Sequence, residues 1–123
     1  MLAAGERIVA AAERICSQVL ADAERFFAAC LETSWVPGYL RSRGFGDTLT
    51  RRWRIGCAPC GWKVLTDHLR SLGHEGAAIV AAGLARRSAR GTLFDHFRDR
   101  AMLAIRDEHG AVAGFHRPRP SHC

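Results

Sequence analysis

Apolar residues between positions 6 and 31 recur at spacings of three, four or seven: Ile8, Ala12, Ile15, Val19, Phe26 and Cys30. Alanines fill between them, and Glu and Arg take much of the other face. That period predicts one long helix whose stripe is a packing face. Ser34 is placed to cap a short helix over 35–43, with Pro37 near its start and Gly44 as its stop. A second short helix over 47–52 follows. Residues 53–58 (WRIGCA) read as a strand, and Pro59 and Gly61 break the chain. Val64, Leu65, His68, Leu69 and Leu72 lie along one side of a helix over 62–72, ended by Gly73. Another helix spans 75–82 and ends at Gly83. Residues 84–86 and 92–94 are set to pair as a hairpin across Ser88-Ala89-Arg90-Gly91. Two apolar runs, 101–105 and 111–115, flank the polar turn 106–110 and read as a second hairpin. After Phe115 the chain becomes HRPRPSHC, an expected unstructured tail over 116–123. Helices come first, then short antiparallel strands and hairpins with few crossovers, so the fold class is α+β.

At 123 residues the chain holds one domain or part of one, with room for a modest core. No apolar run approaches the roughly 18–20 residues that span a bilayer. The first twelve residues contain Glu6 and Arg7 and lack the apolar core of a signal peptide, so the expected location is the cytoplasm. Charge is uneven. Residues 1–50 carry five Arg against six Asp and Glu, a balance of −1, while residues 51–123 carry thirteen Arg and Lys against six Asp and Glu, a balance of +7. All the basic residues but Lys63 are Arg, whose planar fork grips phosphate and stacks on bases. A GC-rich genome also favours Arg over Lys, but it does not account for the asymmetry between the halves.

Most candidate chemistry has a plainer explanation. Cys57-Ala58-Pro59-Cys60 is a CxxC ahead of a helix, the form of a redox dithiol, yet the βαβ frame of such proteins is missing. One CxxC supplies two zinc ligands, and His68 and His74 are irregularly spaced to complete a site. The short helices at 35–43 and 47–52 suggest a helix-turn-helix, but both are brief for a recognition helix. No phosphate loop, nucleophile elbow or HExxH pattern occurs. Asp107-Glu108 sits in a turn, and no set of carboxylates converges as two-metal phosphoryl transfer requires. What remains is Arg86, Arg87, Arg90, Arg98, Arg100, Arg106, Arg117 and Arg119, interleaved with Phe94, Phe97 and Phe115. On short strands and turns several of these arginines can face one side and meet phosphates. The phenylalanines can stack bases or pack the core.

Several segments, read together, resemble a known family. Tyr39-Leu40-Arg41-Ser42-Arg43-Gly44 is followed by Ile55-Gly56-Cys57-Ala58-Pro59-Cys60-Gly61-Trp62, then Ala82-Gly83-Leu84. Next come Phe94-Asp95-His96-Phe97-Arg98-Asp99-Arg100-Ala101-Met102-Leu103-Ala104-Ile105-Arg106-Asp107 and the run 110–115. In order and spacing this is similar to bacterial DnaG-type DNA primases, in the N-terminal subdomain of the RNA-polymerase core that precedes the toprim fold. The likeness covers about residues 20–115, with 1–19 as the leading part of the long helix.

The resemblance implies a mixed α+β unit forming one wall of a basic groove, with single-stranded template DNA or RNA–DNA hybrid as partner during RNA primer synthesis. Arg98 and Arg100 fall on the family's basic positions and lead the expected nucleic-acid contacts, with Arg86 and Arg106 beside them. Cys57 stands where the family usually has an aromatic. The amino-terminal zinc ribbon and the catalytic toprim domain find no counterpart here, and the family's GGR after Phe115 is replaced by His116-Arg117-Pro118. The expectation is therefore a primase fragment without catalytic residues, metal or zinc of its own, although full-length relatives use divalent metal and zinc. Primer synthesis (DNA-directed RNA polymerase, a nucleotidyltransferase activity) would belong to a complete relative. A separate chain supplying the toprim domain is a further partner the resemblance allows. The competing expectation is a non-catalytic remnant or protein-interaction module with no nucleic-acid role.

Overall fold

The computed structural model describes residues 4–116. Helix α1 (Ala4–Cys30) is about 40 Å long at ~1.5 Å per residue. Short helices α2 (Val36–Ser42) and α3 (Asp47–Arg52) follow, then strand β1 (Gly56–Ala58), helices α4 (Val64–Ser71) and α5 (Gly76–Ala81), and strands β2 (Ala85–Arg87), β3 (Leu93–Asp95), β4 (Arg100–Arg106) and β5 (Val112–His116). All pairing is antiparallel. One sheet has the order β1-β4-β5, and β2-β3 forms a separate hairpin. The α+β expectation and nearly all its elements are met. Strand β5 takes in His116, which the sequence assigned to the tail; the rest of that expected tail, 117–123, lies outside the described residues.

The core forms where α1 crosses the three-stranded sheet. Val19, Leu20, Ala23 and Phe27 of α1 are buried with Ala58, Leu65, Leu69, Ile79, Leu84 and Met102. This corrects the expected stripe. Ile8 and Ile15 are exposed, at 70% and 48%, whereas Val19 and Phe26 of that stripe do meet the core, and Leu20, Ala23 and Phe27 complete the buried face. The sheet, α4 and α5 reach only the C-terminal half of the helix, so tertiary contact there overrides the period set by the first half. A smaller cluster of Val36, Cys57 and Ala101, bordered by Trp35, Leu40 and Ile55, joins α2 to the sheet.

Boundaries differ from the sequence reading where turns compete. Trp35, not Ser34, is the N-cap of α2, while the Ser34 hydroxyl accepts the Val36 N–H at 3.2 Å. Residues 53–55 are not strand, because they close α3. The Arg54 N–H bonds to Arg51 O and the Ile55 N–H to Thr50 O, a Schellman end. Helices α2, α4 and α5 end the same way, with Gly44, Gly73 and Gly83 in the left-handed conformation. At α3 that position belongs to Arg54, with φ 52, a conformation that costs a residue with a Cβ roughly 1–2 kcal/mol. Asp107 builds the β4–β5 turn, its carboxylate accepting the His109 and Ala111 N–H groups at 2.8 and 3.0 Å. This is the solvated turn expected for Asp107-Glu108.

Gly56 sets how closely α1 approaches the sheet. A Cβ there would lie 2.6 Å from Phe27 Cβ and 2.7 and 2.8 Å from the Phe27 carbonyl carbon and oxygen. Backbone cannot yield as a flexible side chain does, so helix and strand must separate. Gly56→Ala is expected to lower stability by about 2 kcal/mol or more, read as a reduced urea midpoint. An unchanged midpoint would show that α1 is free to slide on β1.

Candidate nucleic-acid interface

The site begins with a helix that lacks a cap of its own. At the start of α4 the N-cap position is Lys63, whose side chain makes no capping bond. The cap comes instead from β3. Asp95 is 1% exposed, and its carboxylate accepts the Leu65 N–H at 2.9 Å, the Thr66 N–H at 2.8 Å and the Thr66 hydroxyl at 2.6 Å. A carboxylate at a helix N-terminus also meets the positive end of the helix dipole. The Asp95 backbone N–H donates to Trp62 O at 2.6 Å, so one residue of β3 holds both α4 and the residue before its N-cap. This is why the predicted helix over 62–72 starts later, at Val64.

Trp62 is consequently held outside the helix, with 63% of its surface exposed. Its ring meets Phe94 edge-on at 5.9 Å between centroids. The Arg98 guanidinium lies over the indole, 3.9 Å from its centroid, and 5.9 Å from that of Phe94. Arg98 Nη1 donates to Asp95 O at 3.2 Å, which fixes the stack to the same pin. Arg86 stands opposite Phe94 in the β2–β3 register and is exposed. Trp62, Phe94, Arg86 and Arg98 therefore form one continuous surface of two aromatic rings and two guanidiniums. The other face of the hairpin carries Arg87, which with Lys63, Arg70 and Thr92 lines a hollow of about 370 Å³ that also holds Asp67 and Glu75.

Asp99 is a second pin. It is 4% exposed with φ 50. Its carboxylate accepts the Trp35 indole N–H at 2.7 Å, and its N–H donates to Pro59 O at 3.2 Å. The acidic residues of Phe94-Asp95-His96-Phe97-Arg98-Asp99-Arg100 thus point inward as fasteners, leaving Arg98 between them on the surface.

Of the four arginines predicted from sequence, Arg86 and Arg98 come together. Arg100, half-buried, opens β4 opposite Ala58. Arg106 closes β4, roughly 20 Å further along at ~3.3 Å per residue, and bonds Glu24 and Gly110 O. Phe94 belongs to the surface, whereas Phe97 and Phe115 pack against the core, Phe115 edge-on to Phe27. Trp62 is not among the contacts expected from sequence; its signal there is a tryptophan at the polar start of a helix, off its apolar side.

The CxxC pair has no redox geometry. Cys57 is a free, buried thiol, so it is not joined to Cys60. Burial pushes its pKa above the ordinary 9.0, Asp99 and Cys30 add to the rise, and a Ser34 hydrogen bond opposes it. A reactive dithiol needs the opposite shift. Among the described residues no group of three or more His, Cys, Asp or Glu side chains could hold a metal ion, and no helix is long and apolar enough to cross a membrane.

With this geometry in view, known proteins identify the family. A family model described as "DNA primase catalytic core, N-terminal domain" matches residues 26–118. The chain belongs to the DNA primase catalytic-core family. The DNA primase of Mycobacterium tuberculosis (strain H37Rv) is 38% identical over 98 residues, covering 77% of this chain and 15% of that protein. The Streptomyces coelicolor primase is 35% identical over 112 residues, 90% of this chain and 17% of that one. Among solved structures, the RNA polymerase domain of M. tuberculosis primase DnaG in complex with double-stranded DNA superposes with a TM-score of 0.80 at 35% identity, covering 86% of this chain and 34% of that chain. A DnaG primase catalytic domain bound to single-stranded DNA gives 0.78 at 28% identity, covering 88% and 36%. This primase domain therefore spans about a sixth of those relatives and about a third of the solved cores.

Two outcomes are expected. Asp95→Ala should cost about 3 kcal/mol, since it strands two helix N–H groups and a buried hydroxyl, while Asp95→Asn, which keeps an acceptor, should cost less; equal urea midpoints for wild type and Asp95→Ala would refute the capping role. Because the folded-state pKa of Cys57 is raised, the stability linked to its neutral thiol is complete below pH 9.0 and lost as pH climbs through the raised value. Native Cys57 should resist iodoacetamide at neutral pH and react on unfolding; rapid native labelling would contradict this.

Proposed function

We propose that this domain forms a template-binding wall of a primase, holding single-stranded DNA and the RNA–DNA hybrid while an RNA primer is made. The observation that carries the reading is the exposed Trp62 ring with Arg98 stacked over it and Phe94 and Arg86 alongside. An exposed aromatic plane offers a base a stacking partner, and guanidiniums at its edge offer its phosphates charge-assisted bonds. Phosphate contacts and base stacking carry no sequence information, so binding should be independent of sequence. The names of two solved relatives, one with double-stranded and one with single-stranded DNA, support the choice of partner. Arg100, at the start of β4, extends the wall. Metal-dependent nucleotidyl transfer is assigned to a toprim domain, on the same polypeptide or supplied by another.

A labelled oligothymidylate titrated at low salt should bind, and added salt should weaken binding steeply. Trp62→Ala or Arg98→Ala should each reduce affinity about 5- to 100-fold, the range expected when one base loses its stacking partner at ~1–3 kcal/mol. Absence of binding at low salt would overturn the reading, as would full affinity in the double variant.

A further inference from the structure

We infer that a second nucleic-acid contact lies at the far end of β4, centred on Trp53. It rests on the reading of the Trp62 surface as a nucleic-acid wall and extends it to a separate patch. Arg52, Trp53 and Arg54 leave the end of α3 and meet Arg106 of β4, and with Ala104 and Gly110 they line an open hollow of about 530 Å³. Trp53 is 59% exposed, and Arg51, Arg52 and Arg54 are exposed as well. An indole surrounded by guanidiniums repeats the composition of the Trp62 surface with different residues.

The patch is also organised. Glu24 of α1 accepts a bond from Arg106 and lies 4.0 Å from Arg54, so one carboxylate steers two guanidiniums without cancelling the cluster's charge. Arg52 is exposed at the rim of the hollow. Neither acidic residue of the adjoining turn lines the hollow: Asp107 is held by its own turn amides and Glu108 is exposed. Arg54 holds the left-handed position that glycine fills at the ends of α2, α4 and α5. Stability alone favours glycine there, and an arginine is the residue that adds charge to the hollow. An exposed indole among arginines offers a base a stacking face and its phosphates charge-assisted bonds in one place.

The test uses anisotropy with a labelled oligothymidylate of about 20 nucleotides, longer than the ~4–16 that a single compact module occupies. Arg52→Ala with Arg54→Asn removes two guanidiniums while keeping a side chain that tolerates the left-handed backbone. This variant should lower affinity about tenfold and flatten the slope of log affinity against log salt by about 1.4, or ~0.7 for each phosphate no longer neutralised. Trp53→Ala should weaken binding about fivefold. Bromodeoxyuridine placed along the oligonucleotide should photocrosslink wild type at the peptide holding Trp53. If Arg86→Ala with Arg98→Ala weakens binding while the Arg52 and Arg54 changes leave affinity and slope intact and no crosslink maps to Trp53, the second contact is overturned and the Trp62 wall stands. If only the Arg52 and Arg54 changes weaken binding, the Trp53 contact stands and the Trp62 reading falls. Polyglutamate binding that the Arg52 and Arg54 changes abolish, with oligothymidylate affinity unaltered, would assign the patch to an acidic protein and overturn the proposal.

Discussion

A buried carboxylate that caps a helix from another element is the constraint on which the surface depends. Asp95 sits in a strand, yet it satisfies the amides at the start of α4, while its backbone N–H donates to Trp62 and its carbonyl accepts from Arg98. A cap supplied within a helix would stabilise only that helix. Supplied across about thirty residues of sequence, it also fixes the position of α4 against the β2–β3 hairpin, and with it the spacing between indole and guanidinium. The burial that makes the bonds strong also makes any loss costly, since stranded polar groups away from water have nowhere to turn. The geometry of an exposed surface is thus set by an interaction that solvent does not reach.

Much of this architecture is legible in the chain. Apolar period and glycine punctuation locate every helix and both hairpins, because local patterns govern elements whose ends are capped by local turns. The departures have a common origin in tertiary contact. Ile8 and Ile15 carry the expected period but stay exposed, while Ala23 is buried because the sheet lies beneath it. Trp53 looks like strand and is a helix end, since a Schellman turn can be built on an arginine if the fold supports the strain. Trp62 looks like the first turn of α4 and is displaced by a cap that comes from residue 95. No window of neighbouring residues contains that information.

The four arginines show the same division. Charge and spacing along 86–106 identify a basic segment correctly, but linear proximity does not say which guanidiniums share a surface. Arg86 and Arg98 are twelve positions apart and both flank Phe94, because the hairpin register places Phe94 opposite Arg86 and the Arg98 guanidinium lies 5.9 Å from its ring. Arg106, nearer to Arg98 in sequence, is carried away along an extended strand. The acidic residues between the arginines look like charge dilution in the sequence; in the fold Asp95 and Asp99 point inward, so the surface is more basic than the segment.

The pairing of β1 with β4 gives the chain an economy of its own. Residues 59–99 leave the sheet at Ala58 and rejoin it at Arg100, which face each other, and the bond from Asp99 to Pro59 closes the excursion at its base. Everything that shapes the Trp62 surface lies within this loop, while the central strand and its other neighbour, β5, lie outside it. Closing a loop costs entropy that grows only with the logarithm of its length. Within the excursion, α4 and α5 are tied to α1 through Leu65, Leu69 and Ile79, so only the hairpin tip over 88–91 can change length at little cost to the sheet. The closure between Pro59 and Asp99 holds the base of the excursion, the packing of α4 and α5 on α1 holds its middle, and the hairpin tip is the part left free to vary.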